Sequence, residues 1–420
     1  MATDNSTLST PGLGGLSGRA LWSGLAIAGA AFFLLIGYEL IRPVSSSLFI
    51  EAYTSKNLPL VMFLSPIGTF GMLYFYGWVL SLVGAKRALF MTSLLSGLAI
   101  ALCYMAIVAG VKPATGLLYI LRESYIVLLI EQYWSFINST LRVDEARKMN
   151  GPICGIASVG AMCGGWLTAN YSVLFGSANL LIIAALTLLP AGAMAALAYH
   201  LGGEPAPAEH EKDVRQTGHL ALGLLKGQRG LTALLFIIIM TQVVSTVLDL
   251  RFSGLLELAM PDRDARTAYL GQFYVMLNVW AFGFQFVGSP LLMRFAPLRL
   301  VHFGIPVVHL ISCVLLFINP TLGVCAAAYM QFKVLDYSLF RAAKETIYIP
   351  FSYNVRYRVK EFIDSFVYRA SKGGTSLLVM GARAVVGVVP GNAFTMTAAL
   401  AATAWLFLVS RLSIKHPSET

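Results

Sequence analysis

Runs of about twenty predominantly apolar residues recur along the whole chain, each long enough to cross a ~30 Å hydrocarbon core at ~1.5 Å of helical rise per residue. By hydropathy the first six cover 21–42, 58–83, 89–110, 116–141, 152–175 and 179–200. Six more cover 231–252, 269–292, 300–318, 322–344, 365–389 and 393–412. Between the two sets lies the one long hydrophilic break, which contains GGEPAPAEHEKDVRQTGH. The pattern predicts an all-α membrane protein of about twelve transmembrane helices in a six-plus-six arrangement. Its parts are an N-terminal tail at 1–20, a six-helix bundle at 21–200, a linker at 201–230, a second bundle at 231–413 and a C-terminal tail at 414–420.

Composition agrees. The 420 residues are 57% hydrophobic and 12% charged, against about 25% charged in soluble domains. A net charge of +10 is not gathered into a solvated basic domain, so no nucleic-acid partner is expected. The excess follows the positive-inside rule instead. Even-numbered gaps hold Lys86, Arg87, Arg142, Arg147, Lys148, Arg294, Arg299, Arg356, Arg358 and Lys360, whereas odd-numbered gaps are sparse, with Lys56, Lys112, Arg263 and Arg266 as exceptions. Both termini are therefore expected in the cytoplasm, with the chain in a bacterial inner membrane as a monomer. The first 18 residues lack a basic stretch and a small-residue cleavage site, so no cleaved signal is expected. All five cysteines fall in apolar stretches without C-x-x-C spacing, which predicts neither disulfides nor a metal site. No G-x-x-x-x-G-K-[ST], H-E-x-x-H or G-x-S-x-G run occurs. The chain reads as a non-enzyme without a cofactor, drawing any energy from exchange or an ion gradient.

Charges inside the spans carry the functional signal. Lys333 lies roughly 16 Å into its run, near the bilayer centre, where a lysine costs about 2.5–3.5 kcal/mol on insertion scales. Asp336, three residues on, shares its helix face and is expected to neutralise it. Such charges concentrate in spans one, four, seven and ten: Glu39 and Arg42; Arg122, Glu123 and Glu131; Asp249 and Arg251; Lys333, Asp336 and Arg341, with Arg383 in span eleven. Those near span ends serve equally well as locks between helices or as snorkelling groups; Glu131, Lys333 and Asp336 lie deeper, where function is favoured. Gly155, Gly160, Gly164 and Gly165 of span five, and the small run 373–376, predict close helix packing. Tyr133, Trp134 and Tyr337 offer rings for stacking on a planar ligand. His302 and His309 read as core histidines.

The two halves echo each other. Glu131-Gln-Tyr133-Trp-Ser135-Phe136 in span four is answered by Leu335-Asp336-Tyr337-Ser338-Leu339-Phe340 in span ten, and Glu39-Leu-Ile-Arg42 by Asp249-Leu-Arg251. Acid–arginine pairs at matching depths suit parallel six-span repeats, the major-facilitator arrangement, in which spans one, four, seven and ten line the central cavity.

Several strings resemble the nucleotide (ATP/ADP) translocases of plastids and intracellular bacteria. They are Tyr133-Trp-Ser-Phe-Ile-Asn138 with Val143-Asp-Glu-Ala-Arg-Lys148, and above all Tyr337-Ser-Leu-Phe-Arg-Ala-Ala-Lys344-Glu345-Thr-Ile-Tyr-Ile-Pro350, extended by Lys360-Glu-Phe-Ile-Asp364 and Ser371-Lys372-Gly-Gly374. The resemblance covers roughly a third of the chain. It implies that lysines meet substrate phosphates and intramembrane acids balance them, with Asp249 and Glu123 at or near the acidic positions and Lys344, Lys360 and Lys372 at basic ones. Span one departs: the family's Arg-x-x-Lys-Asp is here Arg42-Pro-Val-Ser45-Ser46.

Three functions follow. The first is a secondary transporter moving an anionic metabolite, a nucleotide or another phosphorylated or carboxylated solute, by alternating access. Lys333, Arg122 and Arg251 would attract the anion, while Glu123, Glu131, Asp249 and Asp336 would hold the empty site neutral or couple protons; Tyr337 and Lys344 complete the candidate set. The second is a proton-coupled importer or exporter of an unrelated small molecule. The third is a membrane scaffold in which the charged pairs lock helices.

Overall fold

The structure, a computed structural model, describes residues 16–203, 229–348, 360 and 362–411. Most of the expected linker and N-terminal tail, all of the C-terminal tail, and Ile349, Pro350, Arg356 and Arg358 lie outside them. The described chain is helical. Its elements are α1 (Gly18–Tyr53), α2 (Leu58–Val108), α3 (Pro113–Thr140), α4 (Val143–Phe175), α5 (Leu180–Gly202), α6 (Arg229–Ala259), α7 (Arg263–Gly283), α8 (Ser289–Phe295), α9 (Leu298–Ile318), α10 (Leu322–Leu335), α11 (Arg341–Tyr348), α12 (Tyr368–Val386) and α13 (Gly391–Ser410). Among the described residues nine helices are long and apolar enough to cross a membrane. One of these, α2, carries two expected spans, and the helical runs 322–348 and 362–386, more polar than the nine, supply spans ten and eleven. The chain is an integral, multi-pass membrane protein. It divides into two compact units, one within Met1–Ser46 and Gly68–Ala208, the other within Ser47–Ile67 and Glu209–Thr420. The end of α1 and the start of α2 thus group with the second unit, although the connector alone would assign them to the first.

Each departure from the expected spans has a local cause. Spans two and three are separate helical segments of α2: the helix breaks at Gly84 (φ 78, ψ 168), inside the expected gap, a positive-φ conformation that glycine adopts without strain. Span one extends past Pro43 to Tyr53. Span eight is interrupted by a π turn at Phe284–Gly288, directly before Pro290 in the first turn of α8; a proline cannot donate to the carbonyl four residues back, and a wider turn relieves its clash. Span ten has a second π turn, Asp336–Phe340, between α10 and α11. A third, Phe362–Val367, precedes α12.

In the first unit, Gly160 and Gly164 of α4 press onto the backbone of α1: a Cβ on either would run into Phe32 or Ile36 main-chain atoms. Gly155 has open space instead. In the second unit α13 packs against α6 and α9, around the fully buried Trp405. His309 lies between the rings of Phe332 and Trp405, at 4.9 and 5.5 Å, and shares a 3.1 Å hydrogen bond with the Gln331 amide. It is a core histidine. Large apolar side chains such as Tyr74, Leu82, Ile318, Leu378 and Val385 are exposed, the surface a bilayer would cover.

Candidate functional site

Three groups hold most of the charged residues singled out by the sequence, one in the first unit and two in the second. The first is built on a defect. Pro43 has no N–H, so the Glu39 carbonyl loses its partner within α1. The Thr168 hydroxyl of α4 donates to that carbonyl at 3.1 Å. On α3, Arg122 donates from Nη1 to the Arg42 carbonyl, and the same nitrogen lies 2.9 Å from Ser45 Oγ and 2.7 Å from Ser46 Oγ. Its Nε stands 3.3 Å from Glu123 Oε1, and its guanidinium sits 3.9 Å above the Tyr119 ring. Glu39 and Arg42 pair at 3.4 Å. Two arginines and two glutamates cancel, so this cluster is balanced, and Arg122 is already engaged by α1. Nearby, Thr92 and Gln132 exchange hydrogen bonds at 3.1 Å, and Thr69 lies 3.2 Å from Ser124. These ties join α2 to α3. Glu131 is exposed on α3.

Ser45 and Ser46 of α1 thus both meet the Arg122 guanidinium. Ser45 is fully buried and faces Arg122. Ser45→Lys sets an ammonium against a guanidinium out of water, and is expected to cost about 3 kcal/mol or more. The measurement is the thermal midpoint of the purified protein; an unchanged midpoint would place Arg122 elsewhere.

The second cluster centres on Lys333, which α10 buries to 8% exposure. Its ammonium donates to Ser245 Oγ of α6 at 2.9 Å, and stands 5.6, 5.9 and 5.5 Å from the ring centres of Tyr329, Phe332 and Tyr337. Rings at this distance stabilise a cation through their quadrupoles. The expected pairing with Asp336 is absent: among the described residues no carboxylate lies within ion-pair distance of Lys333, because its side chain turns to Ser245 and the rings while Asp336 opens the π turn. Asp336, half-buried, meets no cation at that distance either. The second-half echo of Glu39–Arg42 also fails as a pair. Asp249 and Arg251 are two positions apart, which sends their side chains to different helix faces. Instead Arg251 packs against Gly391 at the start of α13, where a Cβ would collide with its guanidinium. Asp249 is half-buried, one turn beyond Ser245 on the same face of α6.

The third group takes up the late motif. Lys344 pairs with Asp364 at 2.8 Å and Lys360 with Glu345 at 2.5 Å. A Cβ added to Gly373 would meet Pro66 and Phe63 at ordinary contact distance. Lys344 is thus placed beside a carboxylate. Sequence reasoning missed Ser245, Tyr329 and Phe332. The signal was present for the first of them: Thr241, Ser245 and Asp249 recur every four residues within an otherwise apolar span.

No family model and no curated protein matches the sequence. Solved structures do match over nearly the whole chain. An auto-inhibited peptide transporter of the POT family superposes with a TM-score of 0.65 at 14% identity, covering 94% of this chain and 98% of the other. The nucleoside transporter NupG gives 0.67 at 12% identity, covering 93% and 100%. The xylose transporter XylE from E. coli, in an inward-open conformation, gives 0.61 at 11% identity, covering 94% and 97%. At these identities the likeness concerns the fold. The chain has the major-facilitator fold.

Proposed function

We propose that this protein is a secondary active transporter that carries an anionic small solute across the membrane by alternating access, with Lys333 as the cation that meets the anion. One observation carries this reading: a buried ammonium within three aromatic rings, with no carboxylate at ion-pair distance among the described residues. A charge this costly in a membrane persists where it has a ligand to bind. Arg122, by contrast, serves as a brace for α1, since the main chain and serines of α1 already hold its donors. Asp249 and Asp336, half-buried, are the groups that balance or couple protons to the loaded site. The resemblance to nucleotide translocases favours a nucleotide or another phosphorylated or carboxylated solute, in exchange for its like.

The test is uptake into proteoliposomes. Labelled ATP, ADP and a panel of phosphorylated and carboxylated metabolites are offered to vesicles preloaded with the same compounds. Counterflow that survives an uncoupler supports exchange. Uptake that instead follows an imposed pH gradient, and includes neutral solutes, supports a proton-coupled carrier of another molecule and removes the anion reading.

A further inference from the structure

Two arginines that stand against the charge pattern of the odd-numbered gaps, Arg263 and Arg266, share a task. Within the second unit they help to grip the end of α1 and the turn that follows it. Glu51 of α1 pairs with Arg263 of α7 at 3.1 Å. Arg266, only 3% exposed, reaches the Ser47 carbonyl of α1 at 3.3 Å, and the same guanidinium holds the Met260 and Pro261 carbonyls that follow α6. The turn itself, Ser55–Asn57, is held from two sides. Glu257 Oε2 of α6 accepts from the Ser55 N–H at 3.0 Å and from the Ser55 hydroxyl, and Arg383 of α12 donates to the Lys56 carbonyl.

Thr54, directly before this turn, has φ 64 and ψ 160. That region is essentially reserved for glycine, and a β-branched residue is strained there. Thr54 is exposed, so no core packing imposes the conformation. What fixes it is the grip on the two residues that follow. The chain is thus fastened at two places. Residues 39–46 of α1 are tied to α3 and α4 within the first unit. From Ser47 onward the ties run to α6, α7 and α12 within the second. The first fastening is dry: Ser45 is 0% and Arg122 4% exposed, and a bond broken there finds no water. The second is half-open, with the Glu51 and Arg263 side chains 51% and 32% exposed, where water replaces what is lost and an ion pair contributes little. It also carries the strain at Thr54, which opening relieves.

We propose that residues 54–57 form a sprung strap: the Glu257–Ser55 and Arg383–Lys56 bonds hold Thr54 strained, and each transport cycle releases and refastens them. The strap's role rests on the transporter reading. Alternating access moves one bundle against the other, and a helix fastened to both must let go of one; the weaker, strained fastening yields.

Hydrogen exchange at the Ser55 amide, read by mass spectrometry of the full-length protein in lipid nanodiscs, reports the strap directly, because that N–H donates to Glu257 only while the strap is closed. Thr54→Gly removes strain from the closed strap and should slow the exchange roughly threefold or more. Glycine's greater freedom in the open strap opposes this, so the slowing understates the strain. Glu257→Ala should speed the exchange by roughly tenfold or more. The deciding variant combines the two. Without Glu257 the strain is already released, and Thr54→Gly should then change the exchange by less than about twofold. In vesicles, Thr54→Gly should lower the maximal rate of anion uptake and leave the half-saturating concentration unchanged. Unaltered Ser55 exchange in Thr54→Gly, or the same slowing with and without Glu257, overturns the strap. Wild-type uptake by Thr54→Gly, despite slowed exchange, overturns its release in the cycle. Wild-type vesicles that take up no solute count against the transporter reading instead, since the exchange measurements need no solute.

Discussion

Lys333→Met is expected to abolish anion uptake while leaving the protein at least as stable as the wild type. The two effects oppose each other for a physical reason. The ammonium at 333 is buried and is stabilised by one hydroxyl and three rings, which cannot recover the whole cost of a charge at the bilayer centre, about 2.5–3.5 kcal/mol on insertion scales. A methionine of similar length fills the same space without that cost, so stability should rise by on the order of 1 kcal/mol or more. Transport should fall to background, because among the described residues no second cation stands in the cage. A stable variant that still takes up the anion would remove Lys333 from the site. The same pair of measurements separates a binding group from a helix lock. Since Lys333 and Asp336 make no ion pair, Lys333→Ala and Asp336→Ala should combine additively, within about 0.5 kcal/mol. A double variant more stable than Lys333→Ala alone would restore the lock.

Gly164→Leu should have the largest effect on folding. Any Cβ at 164 meets the backbone of Ile36, and backbone inside a helix cannot move aside as a flexible side chain can. Prising α4 from α1 would also stretch the hydrogen bond from Thr168 to the Glu39 carbonyl. The expected loss is about 3 kcal/mol or more, read as loss of a monodisperse peak in detergent and a collapsed melting point. Gly155→Leu, in the same helix and with open space around its Cβ, should stay within about 0.5 kcal/mol of wild type. If both variants behave alike, the α1–α4 contact is not what stabilises the first unit.

The sequence separates these glycines poorly. All four in span five fit the small-residue pattern, and only the packing partners tell Gly160 and Gly164 from Gly155. Hydropathy did convey the helices and their number, because a bilayer demands long apolar runs whatever their packing. It also placed the break between spans two and three, where Gly84 leaves helical geometry. The π turn at Phe284–Gly288 had a cue in Pro290, whereas the one at Asp336–Phe340 contains neither proline nor glycine and left no local mark. Within the site, Lys333 was conspicuous because charge is rare at that depth. Its partners were not, since a serine or an aromatic in a span costs little and stands out little. Spacing alone also suggested a Lys333–Asp336 pair and an Asp249–Arg251 pair. Shared helix face proved insufficient for the first, and a separation of two residues excluded the second.

A proline near the middle of a membrane helix is usually a place where the rod can flex. In α1 the carbonyl that Pro43 strands is held by Thr168, and the carbonyl of Arg42, beside it, is gripped by Arg122. Bending at Pro43 would have to break both bonds where no water replaces them. The joint is therefore stiff. Elastic deformation of this part of α1 should be carried together with α3 and α4, as a braced beam moves with its struts, and labels placed on the three helices should keep fixed mutual distances throughout the transport cycle.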